Sequence, residues 1–459
     1  MHLTDDAQSC FAAVKSFFSK KTTIPHPQDD PFYFTCSPEF ATLSAGTILR
    51  SREVEIIYFP GFDHLSAWQV AYKTTAQDGT APLVSVATIL RPSNAAPDAD
   101  GRYRIVAYGA KCDSAGQNFR TSYALRAGND DTLGAASEQI FLGPLLDRGW
   151  IVIVPDYESE TCAFGAGNQS GYAFLDAIRA GLSFAPMGVP KDDTGVFRAK
   201  VNMWGYSGGA LAVGWAAQLQ SEYAPDLTRY VVGASMGGLP SNLGAIAKWT
   251  NKGVAAGLIV GVMQGLANAY PTLQAWLNEH ANATGKAALA MASVKSFGVI
   301  MQSNFEKDVL GTYFDTTDLL AESLPADIVA QNTLAAGEQW PRTPCQIYQS
   351  LHDEVVPHET TDTLVAAWSK HGACIDYTKD ELSAHVVLCF TGCAMAVRWM
   401  QDRFDGKKTV AEPGKPNEET VLTSLDTSDA TETLGKERQA EMQDVLQKQY
   451  VEPGRIWWT

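Results

Sequence analysis

Short apolar runs alternate with amphipathic stretches through the first half of the chain. Leu83-Val84-Ser85-Val86-Ala87-Thr88-Ile89-Leu90, Tyr103-Arg104-Ile105-Val106-Ala107-Tyr108, Trp150-Ile151-Val152-Ile153-Val154 and Tyr230-Val231-Val232-Gly233 read as strands. Within residues 53–90, Val54-Glu55-Ile56-Ile57-Tyr58 reads as another; the segment before residue 48 is irregular and rich in Pro and Asp. Residues 142–147 close a helix, and 171–183 carry Phe174, Ile178 and Leu182 at helical spacing on one face. Strands alternating with helices predict an α/β fold, a mostly parallel sheet covered by helices on both faces.

The rhythm stops at residue 241. From there to 339 the pattern is helical with no clear strand. It resumes with Cys345-Gln346-Ile347-Tyr348-Gln349-Ser350, a helix over 360–371, and Cys374-Ile375-Asp376-Tyr377. One α/β core in two parts, 1–240 and 340–408, is therefore expected, interrupted by a helical insertion over 241–339. Such an insertion would cap the site and exclude water. Residues 409–459 form a C-terminal extension. Pro, Glu, Thr, Ser and Asp dominate 409–435, which reads as an exposed linker. Helix formers with sparse apolar positions follow over 436–450, and Ile456-Trp457-Trp458 are expected to dock on the body.

With 459 residues, 45% of them hydrophobic, the chain can bury a large core. Its net charge of -16 argues against nucleic acid, which needs clustered Lys and Arg to displace counterions. The uncharged apolar stretch 253–270 contains Gln264, Asn268 and several glycines and is barely long enough to cross a bilayer, so it reads as a buried or lid helix rather than a span. The first residues are acidic, and the apolar stretch 10–18 is broken by Lys15 and Ser16. That pattern lacks the basic start and unbroken apolar segment of a secretory signal, and a cytoplasmic protein is expected. The eight cysteines are too sparse for a disulfide scaffold and read as buried free thiols.

The chemistry concentrates in Val201-Asn202-Met203-Trp204-Gly205-Tyr206-Ser207-Gly208-Gly209-Ala210. An apolar strand runs into Gly-x-Ser-x-Gly and then into a helix pattern, so Ser207 would sit on a sharp strand-to-helix turn with its hydroxyl lifted clear of the sheet. The motif recurs as Gly233-Ala234-Ser235-Met236-Gly237, but Gly238-Leu239-Pro240-Ser241 follows, a loop without the helix N-terminus a nucleophile needs. Ser235 reads as a floor residue beside the site. A serine needs a base to take its proton. Asp353 follows one later strand and His385 the next, in the chain order this fold uses. Glu354 competes with Asp353, and His352, His358 and His371 also lie downstream of Ser207. The grouping of His352, Asp353, Glu354 and His358 lacks the paired histidines of a helical zinc site. No metal is expected, and no Gly-rich phosphate loop or other cofactor motif stands out. The Gly208 N–H would face a developing oxyanion. A second donor is expected from Lys111-Cys112-Asp113-Ser114-Ala115, after the strand at 103–108.

Further motifs run along the chain. They include Asp29-Asp30-Pro31-Phe32-Tyr33, Leu49-Arg50-Ser51-Arg52, Asp113-Ser114-Ala115, Asp156-Tyr157-Glu158 and Leu175-Asp176-Ala177-Ile178-Arg179. With Gly205-Tyr206-Ser207-Gly208-Gly209-Ala210 and Tyr223-Ala224-Pro225, they make the chain resemble the fungal secretory lipase family of the α/β-hydrolase superfamily, up to about residue 406. The resemblance implies an α/β-hydrolase core, an inserted helical cap, and a triad at Ser207, Asp353 and His385. It also implies an oxyanion hole from Asp113 and Gly208, with Asp113 supplied mainly by the resemblance. Family members are usually secreted, which is the alternative to a cytoplasmic location. The loop Gly116-Gln117-Asn118-Phe119-Arg120 lacks a cysteine the family leads one to expect, so a family disulfide would be missing.

The expected function is a serine carboxylic-ester hydrolase that works through an acyl-enzyme on a lipid or an acylated secondary metabolite. The partner would be a small-molecule ester with an apolar acyl or ring part. An acyltransferase of secondary metabolism using the same triad is the alternative. A non-catalytic binding protein would need a broken triad, and the candidate set is intact.

Overall fold

The computed structural model describes residues 23–34, 38–57, 65–130 and 132–450. Among the described residues ten strands form one sheet: β1 (Ile48–Glu53), β2 (Leu65–Thr75), β3 (Pro82–Pro92), β4 (Tyr103–Gly109), β5 (Ile151–Pro155), β6 (Ala199–Tyr206), β7 (Val231–Gly237), β8 (Cys345–Ser350), β9 (Ile375–Asp380) and β10 (Asn417–Val421). Their order is β1-β2-β3-β5-β4-β6-β7-β8-β9-β10. Pairings from β1 to β5 along the edge are antiparallel, and every pairing from β5 through β4 to β10 is parallel. This is the α/β-hydrolase architecture.

The central strands are apolar on both faces because both faces are covered. Along β6, Val201 and Met203 face one core, whereas Trp204 and Tyr206 face the other. Ile105 and Ala107 of β4, and Ile151 and Ile153 of β5, join the first; Val106, Tyr108, Val152 and Val154 join the second. Helices Gly167–Ser183 and Gly208–Tyr223 cover the first face, and Thr132–Asp147 and Cys393–Phe404 the second. Between β7 and β8 lie only helices, among them Leu243–Thr250, Gly257–Ala269, Pro271–His280, Ala283–Ala292, Phe297–Ser303 and Ser323–Gln331. Among the described residues, no helix is long and apolar enough to cross a membrane.

The structure differs from the sequence expectation at both edges of the sheet. At the first edge, the ladder runs over Ile48–Glu53 rather than from Val54, where only Ile56 makes an isolated bridge, to Arg126. Its arginines hid it. Arg52 bonds Asp30 at 2.6 Å and Gln69 at 2.7 Å and lies 3.9 Å from the centre of the Phe32 ring. Strand β2 lies within the run 53–90, where the pattern marks strands without setting its bounds. Tyr58 lies outside the described residues.

At the other edge, the stretch 409–435 is no linker. It supplies β10, paired in register with β9 from Asn417↔Asp376 to Val421↔Asp380, and the helix Ser428–Leu434. The polar composition of β10 is that of a protected edge strand. Leu434 and Met442 are buried in the second core, and Arg438 pairs with Asp147 at 2.9 Å. Residues 456–458, expected to dock, lie outside the described residues. The six described cysteines are free, but Cys112 and Cys374 are only half-buried; Cys10 and Cys36 are not described.

If this tail is part of the core, Leu434→Ala should destabilise by about 2 kcal/mol or more, read as a lower Tm. An unchanged Tm would mean the tail contributes no packing.

Candidate active site

Four loops at the C-terminal edge of the parallel strands converge. They follow β4, β6, β8 and β9, and carry Asp113, Ser207, Asp353 and His385. Ser207 has φ 52° and ψ -123°, a conformation costing about 1–3 kcal/mol that persists only where its surroundings enforce it. Close backbone packing does so here. A Cβ on Gly209 would stand 1.9 Å from the Gly109 carbonyl oxygen, and one on Gly205 would stand 2.3 Å from the Gly209 carbonyl oxygen. Glycine at both positions lets β6 turn into the helix Gly208–Tyr223 against β4. The Ser207 N–H also donates to the Gly237 carbonyl at 2.9 Å.

The hydroxyl of half-buried Ser207 lies 2.9 Å from His385 Nε2, and His385 Nδ1 lies 2.7 Å from Asp353 Oδ2. His385 and Asp353 are each only 4% exposed, so this chain is shielded from water. Asp353 is held by further donors: Gln349 Nε2 reaches Oδ2 at 2.8 Å, and the N–H groups of Val355 and Val356 reach Oδ1 at 2.9 and 2.6 Å. Burial pulls the His385 pKa down, but the Asp353 carboxylate and its hydrogen bond, with Glu354 and Asp113 beyond, more than offset that, and the net shift is upward.

Glu354, the competing acid, points elsewhere: it accepts the backbone N–H of His385 at 2.8 Å. The structure does not bring the other histidines to Ser207. His352 is exposed, His358 contacts Asp362 at 3.2 Å, and His371 stacks on Trp340. Ser235 is fully buried inside β7 and donates to Gln346 at 2.8 Å. The glycines after it contribute more: a Cβ on Gly237 would strike the Tyr348 ring, and one on Gly238 would lie 2.9 Å from His385 Cε1. They leave room for the imidazole and for Tyr206, whose hydroxyl donates to the His385 carbonyl.

Asp113 adopts φ 48° and packs on Gly208, where a Cβ would stand 1.8 Å from Asp113 Oδ1. That oxygen is buried without a hydrogen-bond partner among the described residues. Burial pushes the Asp113 carboxyl up to about 6, against the pull of the Lys111 ammonium. Lys111 is itself paired with buried Glu138 at 2.7 Å. Sequence reasoning missed Glu138, Gln349 and Tyr206. Only Tyr206, inside the serine motif, had a local signal.

The arrangement can deprotonate a hydroxyl and stabilise the resulting imidazolium, with a helix N-terminus and a buried acid beside the reacting oxygen. A family model described as secretory lipase matches residues 126–412. Lipase 5 of Candida albicans is 34% identical over 400 residues, covering 84% of this chain and 82% of that protein. A secreted triacylglycerol lipase of Malassezia globosa is 32% identical over 400 residues, covering 86% and 84%. The crystal structure of Candida antarctica lipase A superposes with a TM-score of 0.82 at 28% identity, covering 93% of this chain and 96% of that one. The chain belongs to the secretory lipase family and is a carboxylic-ester hydrolase of the α/β-hydrolase fold.

The expected cytoplasmic location is corrected by this finding: the family is described as secretory, and relatives are named as secreted. The expectation rested on residues 1–18, a local pattern that the match along most of the chain overrides.

The two neighbouring acids are separable. Asp353→Asn should lower kcat about 10⁴-fold, because the imidazole is then held in the wrong tautomer. Glu354→Gln should retain most activity. Steady-state kinetics with a soluble ester decides, and the reverse order would make Glu354 the acid.

Proposed function

We propose that the chain hydrolyses esters with an apolar acyl part through a covalent acyl-enzyme on Ser207. His385 takes the Ser207 proton as the hydroxyl attacks the carbonyl, then delivers it to the leaving alcohol. Asp353 keeps the imidazole aligned and stabilises its cation. The N–H groups of Gly208 and Asp113 receive the oxyanion, and the Asp113 carboxyl adds a donor when protonated. The reading is carried above all by the continuous Ser207–His385–Asp353 hydrogen-bond chain.

The helices between β7 and β8 act as a cap in this reading. Their apolar residues Ile246, Ala255 and Met301 cluster with Val355 and Val356, just after Asp353. That packing joins the insertion to the acid loop. The lipases among its relatives support a lipid ester as substrate. Nothing in the site favours acyl transfer over hydrolysis, and the partition of the acyl-enzyme between water and an added alcohol measures that choice.

Ser207→Ala should lower kcat on a p-nitrophenyl ester by about 10⁶-fold. Activity close to wild type would overturn the reading.

The pH profile follows from the upward shift of His385. Protonated imidazole cannot accept the Ser207 proton, so kcat/KM should rise with pH through an apparent pKa above histidine's ordinary 6.5. An acid limb below that value would contradict the assigned base. Asp113→Asn, which always carries a donor, should match or exceed wild type above pH 7, where the Asp113 carboxyl is ionised. A loss of about a hundredfold would instead make the carboxylate itself necessary.

A further inference from the structure

The loop after β4 holds Asp113 in a left-handed conformation, uncommon for a non-glycine residue. Ties from the core and within the loop restrain it. The Tyr157 hydroxyl donates to the Ala110 carbonyl at 2.8 Å, the Ser114 N–H donates to Glu158 at 3.4 Å, and the Gly116 N–H donates to Ser114 Oγ at 3.1 Å.

Another tie comes from the helical insertion. Asn268, near the end of helix Gly257–Ala269, donates through Nδ2 to the Ala115 carbonyl at 3.2 Å and to the Cys162 carbonyl at 3.1 Å. Cys162 is also left-handed, with φ 52°. The orientation of the amide is fixed from both ends, because Asn268 Oδ1 accepts Gln264 Nε2 at 2.9 Å. A flip would set oxygen against two carbonyls and amide against amide. The insertion touches the same loop a second time, independently: a Cβ on Gly116 would stand 2.8 Å from the carbonyl oxygen of Ser293, just beyond helix Ala283–Ala292.

We propose that Asn268 is a positioning residue for the oxyanion loop. From the insertion, its amide clamps the Ala115 and Cys162 carbonyls and fixes the Asp113 backbone against Gly208. The oxyanion site is then complete only while the insertion is seated, so a movement of the insertion reaches the reacting centre through this loop. This rests on the reading of Asp113 and Gly208 as oxyanion donors. The side chain of Asn268 does not touch the reacting atoms, so its effect passes through the geometry of the loop.

The test uses the full chain and the variants Asn268→Ala, Asn268→Asp and Gln264→Ala. Alanine at 268 favours its helix, so the backbone there is not weakened. The readouts are kcat and KM on a short soluble p-nitrophenyl ester, with active sites counted by fluorophosphonate titration. Inhibition by a trifluoromethyl ketone, which mimics the tetrahedral adduct, is measured alongside.

Asn268→Ala should lower kcat per active site by about ten- to a hundredfold with little change in KM, and should weaken the ketone in proportion. Asn268→Asp should lose at least as much, because it turns an acceptor toward two carbonyls. Gln264→Ala leaves Asn268 in place and should show the same signature at smaller size; it serves as the test if the other variants do not fold. Wild-type kcat in all folded variants, or a fall in kcat with ketone inhibition unchanged, overturns the proposal while leaving the hydrolase reading intact. An inactive wild type overturns both.

Discussion

The structure depends on one close contact: the backbone of β6 turning at Ser207 against the end of β4. Gly109, Gly205 and Gly209 meet at distances that no side chain could occupy. That packing forces the positive φ at Ser207 and aims its hydroxyl away from the sheet. It also brings the first turn of the helix Gly208–Tyr223 beside the loop that carries Asp113. The strain is local, and the parallel sheet on either side absorbs it. Strands β4, β6, β8 and β9 all run in the same direction, so their trailing loops gather at one edge. Residues separated by more than a hundred positions in sequence thereby become neighbours.

Electrostatics then divides the buried acids by task. Asp353 accepts from Gln349, from two backbone N–H groups and from His385. Asp113 Oδ1 has no hydrogen-bond partner among the described residues, and burial raises its pKa to about 6. The two acids thus sit in different surroundings within one site, one tied by donors on both oxygens and the other held against Gly208 by packing. Glu354 adds a structural role by holding the His385 backbone.

Much of this was legible in the sequence because its causes are local. The apolar alternation gave the central strands, since burial on both faces demands it. The Gly-x-Ser-x-Gly motif gave the elbow, since only glycine permits the approach. Chain order pointed to Asp353 and His385. Non-local facts stayed hidden. The arginines of β1 find Asp30, Gln69 and Phe32 only in the folded chain, and β10 looks like a linker because its partner is β9 rather than its neighbours in sequence. Glu354 stays a competitor to Asp353 in sequence because the two are adjacent; in the fold Asp353 faces a ring nitrogen and Glu354 a backbone N–H. Asn268 carried no motif at all; its meaning lies in two carbonyls from distant loops. The address of the protein was misread because a leader pattern is no part of the fold.

The central claim is that the imidazole of His385 makes the hydroxyl at position 207 nucleophilic. Mapping the covalent adduct of a fluorophosphonate by peptide mass spectrometry, with the labelling rate followed against pH, tests it most directly. The account requires one adduct, on Ser207, forming more slowly as acid protonates His385. An adduct on Ser235, or labelling at Ser207 that is indifferent to pH and to loss of the His385 side chain, would contradict it.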